Sequence, residues 1–211
     1  MITLHYYPGN ASLLPHMLLR EAGAPFRLAL VDRRTDAQLS EEYRRLNPSG
    51  RIPAIEDDGL VLFETAAIAI HIADRFPEAK LAPPHGSALR PAFLRWMIHL
   101  SNTPQAEFHL WFYPEKIVDD PAVAVAVKAG AGRRLAEMFA VIAAQLGEGP
   151  YLLGETFSAA DLYLLMLLRW GRTLPVPLRD VPPFGAYAAR LLARPAVLAA
   201  FAEEGFSAPF V

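Results

Sequence analysis

Apolar positions fall first into short β-branched or aromatic runs, and later in the chain only into helical stripes. Residues 2–7 (ITLHYY) stop at Pro8-Gly9, which predicts a short strand. Residues 12–22 predict a helix, with Leu14, Met17 and Leu18 on one face, Pro15 in the first turn and Gly23 as C-cap. Residues 27–31 predict a second strand, and the helical crossover makes the two strands parallel. A short helix over 40–46 ends at Asn47-Pro48. Residues 54–56 and 60–63 flank Asp57-Asp58-Gly59, a hairpin signal, and Ile68, Ile72 and Phe76 stripe a helix over 64–76. Beyond Pro77 the pattern is helical throughout, over 90–112, 121–146, 158–171, 184–193 and 196–204. The stretch 158–171 is apolar almost all round and opens with Ser158-Ala159-Ala160-Asp161, a capping-box variant, so it is expected at a buried centre.

The order βαβ-α-ββα within about 80 residues predicts an α/β thioredoxin-like domain over 1–78. Residues 79–89, rich in Pro, Gly and Ala, read as a linker, and 90–211 as an all-helical bundle domain. The 211 residues suffice for one large domain or two small ones. Lys plus Arg number 20 against 22 Asp plus Glu, a net charge of −2 with no basic patch, so nucleic acid is not an expected partner. No membrane is expected either, since runs such as Leu162 to Leu168 are shorter than a span. The start Met1-Ile2-Thr3-Leu4-His5 lacks a basic n-region, which argues against a signal peptide and for a cytoplasmic protein.

Composition changes the picture most through cysteine, which is absent. Disulfides, Cys-zinc sites, iron–sulfur clusters and protein-thiol mechanisms go with it. The histidines are scattered and predict no metal site. If a thiol takes part in the chemistry, it arrives as a substrate. Ile52-Pro53 stands just before the third strand, where a cis bond would leave the Ile52 N–H and C=O to pair with an extended peptide ligand. Glu64-Thr65 opens a helix whose N–H groups attract a carboxylate, with the Thr hydroxyl as donor and Glu64 as acceptor for a ligand amine. Taken singly, the first reads as an ordinary trans bond entering a strand and the second as a helix cap.

Together they carry a resemblance. Asn47-Pro48-Ser49-Gly50-Arg51-Ile52-Pro53-Ala54 and Glu64-Thr65-Ala66-Ala67-Ile68, at this spacing, resemble a glutathione transferase. The stretch from Tyr7 to His16, with Leu19-Arg20-Glu21-Ala22-Gly23 after it, resembles the bacterial beta-like members, and Phe157 to Asp161 the family's capping motif. By this resemblance Ile52 pairs its backbone with the cysteinyl part of glutathione, Pro53 is cis, and Glu64 and Thr65 hold the γ-glutamyl end. Arg51 lines the site by position. Beta-class members carry a Cys where Ala11 stands, and other classes a Ser. The candidates left to meet the sulfur are the Ser12 hydroxyl, the Tyr6 phenol at the end of strand one, the Asn10 amide, or a backbone N–H. The task is modest. A free thiol has a pKa near 8.5, and lowering it by about one to two units needs about 1.4–2.7 kcal/mol.

The resemblance implies glutathione activated as thiolate for attack on a small hydrophobic electrophile, with glutathione as co-substrate, no cofactor, and a homodimer. Glutathione-dependent isomerase, dehalogenase or peroxidase activity is the alternative within the enzyme class. Outside it stands a non-catalytic ligand- or protein-binding module, which Ala11 favours. The second substrate is expected against the helical domain, near Asn102, Phe108, His109, Phe112 and Trp170. Glu107-Phe108-His109 resembles a local pattern that in beta-like members lies near the site, whereas counting from Trp96 lands on Gln105.

Overall fold

A computed structural model describes residues 1–211, and the chain divides into two compact units, residues 1–90 with 191–210, and residues 91–190. The first unit is built on a mixed four-stranded sheet of order β2-β1-β3-β4. The strands are β1 (Ile2–Tyr6), β2 (Phe26–Leu30), β3 (Ala54–Asp57) and β4 (Leu60–Phe63). β1 and β2 run parallel in the register Leu4↔Leu28, while β3 is antiparallel to both β1 and β4. Ile2 and Leu4 are buried, as is the whole of α1 (Leu13–Glu21) from Leu13 to Leu19. Ala66, Ile68, Ala69, Ile72 and Ala73 of α3 (Thr65–Arg75) complete this core. Asp58 and Gly59, at φ 49 and 90, turn the β3–β4 hairpin in the left-handed region that an Asp-Gly pair adopts readily. Residues 33–35 and 37–39 form two 3₁₀ turns before α2 (Glu41–Leu46), which Ser40 caps by accepting from the Tyr43 N–H at 3.1 Å.

The last helix, α9 (Pro195–Glu203), belongs to this first unit. The sequence reading placed it in a helical domain running to residue 211, and that assignment is corrected here. Val197, Ala200 and Phe201 bury its apolar face, and Arg194 grips Glu21 of α1 with a forked pair at 2.6 and 2.8 Å. Charges separated by 173 residues in sequence thus choose the packing partner.

The second unit is all helical, with α4 (Arg90–Leu100), α5 (Ala106–Phe112), α6 (Pro121–Leu146), α7 (Ala159–Trp170) and most of α8 (Phe184–Leu192). The single helix expected over 90–112 contains a π turn at Ser101–Gln105 with Pro104 inside it. Proline lacks the N–H and crowds the preceding turn, so the helix widens there by one residue instead of continuing in α geometry. α7 is buried from Ala159 to Arg169. Its Asp161 carboxylate accepts from the Ser158 N–H and Leu152 N–H at 2.8 Å each, from the Ser158 hydroxyl at 3.2 Å, and from the Tyr187 hydroxyl at 2.8 Å. Burial pushes the Asp161 carboxyl up to about 6 against the pull of those four donors. No helix is long and apolar enough to cross a membrane.

Candidate active site

Strand register gathers the predicted residues. His5 stands opposite Ala54, and Ala54 opposite Phe63. The end of β1, the start of β3 and the end of β4 therefore share one end of the sheet. The Tyr6–Ser12 segment, Arg51–Pro53 and Glu64–Thr65 follow or precede those strand ends directly.

The β1–α1 loop is fastened by its own polar atoms. The Tyr7 carbonyl accepts from the Asn10 N–H at 3.1 Å and from the Ser12 hydroxyl at 3.1 Å, and Ser12 Oγ accepts from the Tyr7 N–H at 3.3 Å. Ser12 is fully buried and its proton is committed to a main-chain carbonyl. The sulfur-donor role expected for Ser12 competes with this bond, which already uses the proton within the loop. Its hydroxyl shapes the loop. Ala11 is also buried, and the N–H groups of Ala11 and Ser12 find no backbone acceptor at the electropositive start of α1.

Asn10 is half-buried, and its Oδ1 accepts from Arg33 Nη1 at 3.3 Å. A guanidinium only donates, so the oxygen must face Arg33 and the amide nitrogen points elsewhere. The same guanidinium lies 5.9 Å from the centre of the Tyr7 ring. The Tyr6 ring meets His16 edge-on, with centroids 6.4 Å apart. Burial, then the Glu204 and Glu203 carboxylates, push the Tyr6 phenol up. That surrounding keeps Tyr6 protonated, and the same two carboxylates oppose another anion beside it.

Beneath the loop lies a charged cluster that the sequence reading missed. Glu204 Oε2 accepts from the Gly9 N–H at 2.8 Å, and Glu204 Oε1 faces His16 Nδ1 at 3.0 Å. The other ring nitrogen of His16 faces Glu203 at 2.8 Å, and Arg20 clasps Glu203 in turn. Burial raises the Glu203 carboxyl, but hydrogen bonds from His16 and Arg20 outweigh it and hold the group below its usual range. The separation of 188 residues between His16 and Glu204 left no local signal to read.

The Asn47–Pro53 segment is a brace. The Arg51 carbonyl accepts from the Tyr43 hydroxyl at 2.8 Å and from Asn47 Nδ2 at 2.7 Å. Asn47 Oδ1 in turn accepts from the Ser49 N–H and hydroxyl at 3.1 and 2.7 Å. Gly50 sits at φ 63, and a Cβ there would lie 3.0 Å from Leu39 Cδ2 and 3.1 Å from the Gln38 carbonyl, so only glycine closes this turn. The Ile52–Pro53 peptide bond is cis. Ile52 precedes the β3 ladder, and its N–H and C=O have no main-chain partner. The Arg51 side chain is exposed.

Glu64 holds φ 73 and ψ 114, a rare backbone for a side-chain-bearing residue that costs about 1–3 kcal/mol. It is exposed and its carboxylate caps nothing, while Thr65 behind it is buried at the first turn of α3. A carboxylate acceptor thus stands beside unpaired helix N–H groups, which suits the ammonium and carboxylate of one zwitterionic end.

In the helical unit, Phe108 is wholly buried, stacked on Phe112 at 5.7 Å and edge-on to Phe139 and Trp170 at 6.0 and 5.7 Å. It is a core residue, and the expectation that it lines a pocket is corrected. Phe112 is 36% exposed and meets Trp170 edge-on at 6.1 Å. His109 is half-buried beside Tyr113, and Asn102 is exposed on the π turn. Gln105, half-buried, accepts from the Tyr163 hydroxyl.

The family model described as the glutathione S-transferase N-terminal domain matches residues 12–75, and the C-terminal domain model matches residues 121–195. The chain is 31% identical to glutathione S-transferase GstA of Escherichia coli O157:H7 over 96% of its length and 98% of the relative's. A glutathione transferase homologue from Sulfitobacter, solved with bound glutathione, has a TM-score of 0.89 at 27% identity, covering 98% of this chain and 99% of that one. A sphingomonad glutathione S-transferase complexed with glutathione has a TM-score of 0.86 at 34% identity, covering 97% of this chain and 100% of the other.

Proposed function

Since the chain belongs to the glutathione S-transferase family, we propose that it binds glutathione at this end of the sheet and delivers its thiolate to a hydrophobic electrophile. The observation that carries the reading is the convergence, by strand register, of three complementary features. The unpaired Ile52 main chain beside Pro53 takes the cysteinyl part in extended pairing. Glu64, Thr65 and the start of α3 take the ammonium and carboxylate of the γ-glutamyl end. Arg51 stands next to Ile52 as a cation for the tripeptide's second carboxylate.

The sulfur then meets the β1–α1 loop, where the Asn10 amide and the Ala11 and Ser12 N–H groups are donors without a protein partner. They stabilise the thiolate left when the thiol proton passes to solvent, and the thiolate forms the C–S bond as the leaving group departs with its bonding pair. Tyr6 stays a neutral phenol. Phe112, Trp170, His109 and Asn102 give the helical unit a mixed aromatic and polar surface. Exposed Val61 and Phe63, on one face of the edge strand β4, offer a second copy an apolar surface, so the working form is a homodimer.

Ala11 keeps a second reading in view, that of a glutathione-binding module without conjugating activity. Calorimetry with glutathione and conjugation of 1-chloro-2,4-dinitrobenzene separate the two. Heat of binding with chloride release supports the transferase, heat without conjugation supports the module, and no heat at millimolar glutathione overturns both.

A further inference from the structure

We propose that Arg33 is a positioning residue for the thiol: it holds the Asn10 carboxamide by its oxygen and so presents the amide N–H bonds to the glutathione sulfur. This rests on the transferase reading above and adds to it the group that makes Asn10 competent.

The argument begins with two adjacent arginines that behave differently. Both lie on the 3₁₀ turn Arg33–Thr35, which the Val31 N–H ties to the end of β1 by donating to the Tyr6 carbonyl at 2.8 Å. Arg34 is exposed and folds back on Asp32, donating from Nε at 3.1 Å and from Nη2 at 2.9 Å. Asp32 thereby neutralises Arg34, and it also caps the turn by accepting the Arg34 N–H at 3.0 Å. Arg33 is half-buried and crosses to the β1–α1 loop, reaching Asn10 Oδ1 at 3.3 Å and the Tyr7 ring at 5.9 Å. One guanidinium is thus used within its own turn, and its neighbour is directed at the loop that receives the sulfur.

The chemistry follows from the donor inventory. Ala11 has no polar atom, and the Ser12 proton is given to the Tyr7 carbonyl. The Tyr6 phenol lies in the field of two carboxylates. Asn10 supplies a side-chain donor on this loop, and a free carboxamide could rotate to offer either its oxygen or its nitrogen. An oxygen turned to a thiolate would repel it. Arg33 removes that choice, because a donor-only group accepts contact from the oxygen alone. Cationic hydrogen bonding at the oxygen also draws charge from the N–H bonds and strengthens them as donors.

The test uses the full-length protein with glutathione as probe, following thiolate absorbance in the complex against pH for wild type, Arg33→Gln, Arg33→Lys, Asn10→Ala and the double variant Arg33→Gln/Asn10→Ala. Arg33→Gln is expected to raise the apparent pKa of the bound thiol by about one unit and lower kcat/KM at neutral pH about tenfold, with KM for glutathione changed less than about threefold. Asn10→Ala gives the same shift, and the double variant is no worse than either single one. Arg33→Lys, which keeps a cationic donor, falls between wild type and Arg33→Gln, and it carries the comparison if Arg33→Gln melts early. A purely structural brace would lower melting temperature and raise KM without moving the pH profile, and that result overturns the proposal. So do effects of the two substitutions that multiply. Wild type that binds glutathione with its thiol unshifted overturns this inference alone, whereas wild type that binds none overturns the transferase reading and this inference with it.

Discussion

Ser12 gives its proton to the Tyr7 carbonyl and takes the Tyr7 N–H in return, in a place closed to water. Removing the hydroxyl leaves the Tyr7 N–H without a partner and the Tyr7 carbonyl with the Asn10 N–H alone, so Ser12→Ala is expected to destabilise the protein by about 1–2 kcal/mol in urea titrations. The pKa of bound glutathione should not move, since the hydroxyl uses its proton within the loop. Glu64 is the opposite case. Its carboxylate has no partner in the protein, so Glu64→Ala should leave stability within about 0.5 kcal/mol of wild type. Glutathione affinity measured by calorimetry should fall at least about tenfold, the worth of one lost charge-assisted hydrogen bond. Both residues were legible as candidates from sequence. What separates a loop fastener from a ligand acceptor is whether the oxygen is already partnered, and the partners of Ser12 are main-chain atoms of Tyr7, five residues away, whose direction the chain's path decides.

The elements themselves were legible because each carries its own pattern: the hairpin at Asp58-Gly59, the cap at Ser40, the buried stripe of α3. Two departures came from competition between elements. Pro104 turned an expected continuous helix into two α segments around a π turn. α9 joined the sheet-bearing unit because Arg194 found Glu21, and Glu203 and Glu204 found His16. The second departure matters for the site, since Glu204 holds the Gly9 N–H of the β1–α1 loop. Glu204→Gln keeps an acceptor for Gly9 but withdraws the charge facing His16. It is expected to cost about 1–3 kcal/mol, read by chemical denaturation, and to raise KM for glutathione as the loop loosens. An unchanged denaturation midpoint would show α9 to be a passenger on α1.

Across the whole molecule, an exposed acid and a buried one push the pH response in opposite directions. Glu203, held below its usual range, stabilises the fold above its unfolded value, and that contribution is lost as pH falls through the lowered one. Asp161, raised to about 6, binds its proton more tightly when folded. Its contribution is complete below the ordinary carboxylate value and lost as pH rises through about 6, a change of about 3 kcal/mol for a shift of this size. Asp161→Asn is destabilising at every pH because a carboxamide cannot accept four donors with its one oxygen. The difference from wild type should shrink between pH 4 and pH 7, as urea titrations at each pH would record. A difference that grows over that range would refute the raised Asp161 value.

Taken alone, the order of residues was enough to determine the two kinds of architecture, the strands and most of the helices within a residue or two, the Asn47–Pro53 and Glu64–Thr65 segments, and that any thiol in the chemistry must come from outside the chain. These depend on local periodicity, on turn chemistry and on the absence of cysteine, all of which are written along one stretch of chain. Tertiary structure alone decided which oxygen is spent and which donor remains, where α9 packs, that Phe108 belongs to the core, and that Arg33 reaches Asn10. A hydrogen bond is fixed within a few tenths of an ångström and by direction, and contacts of that kind join residues whose separation in sequence sets no distance in space.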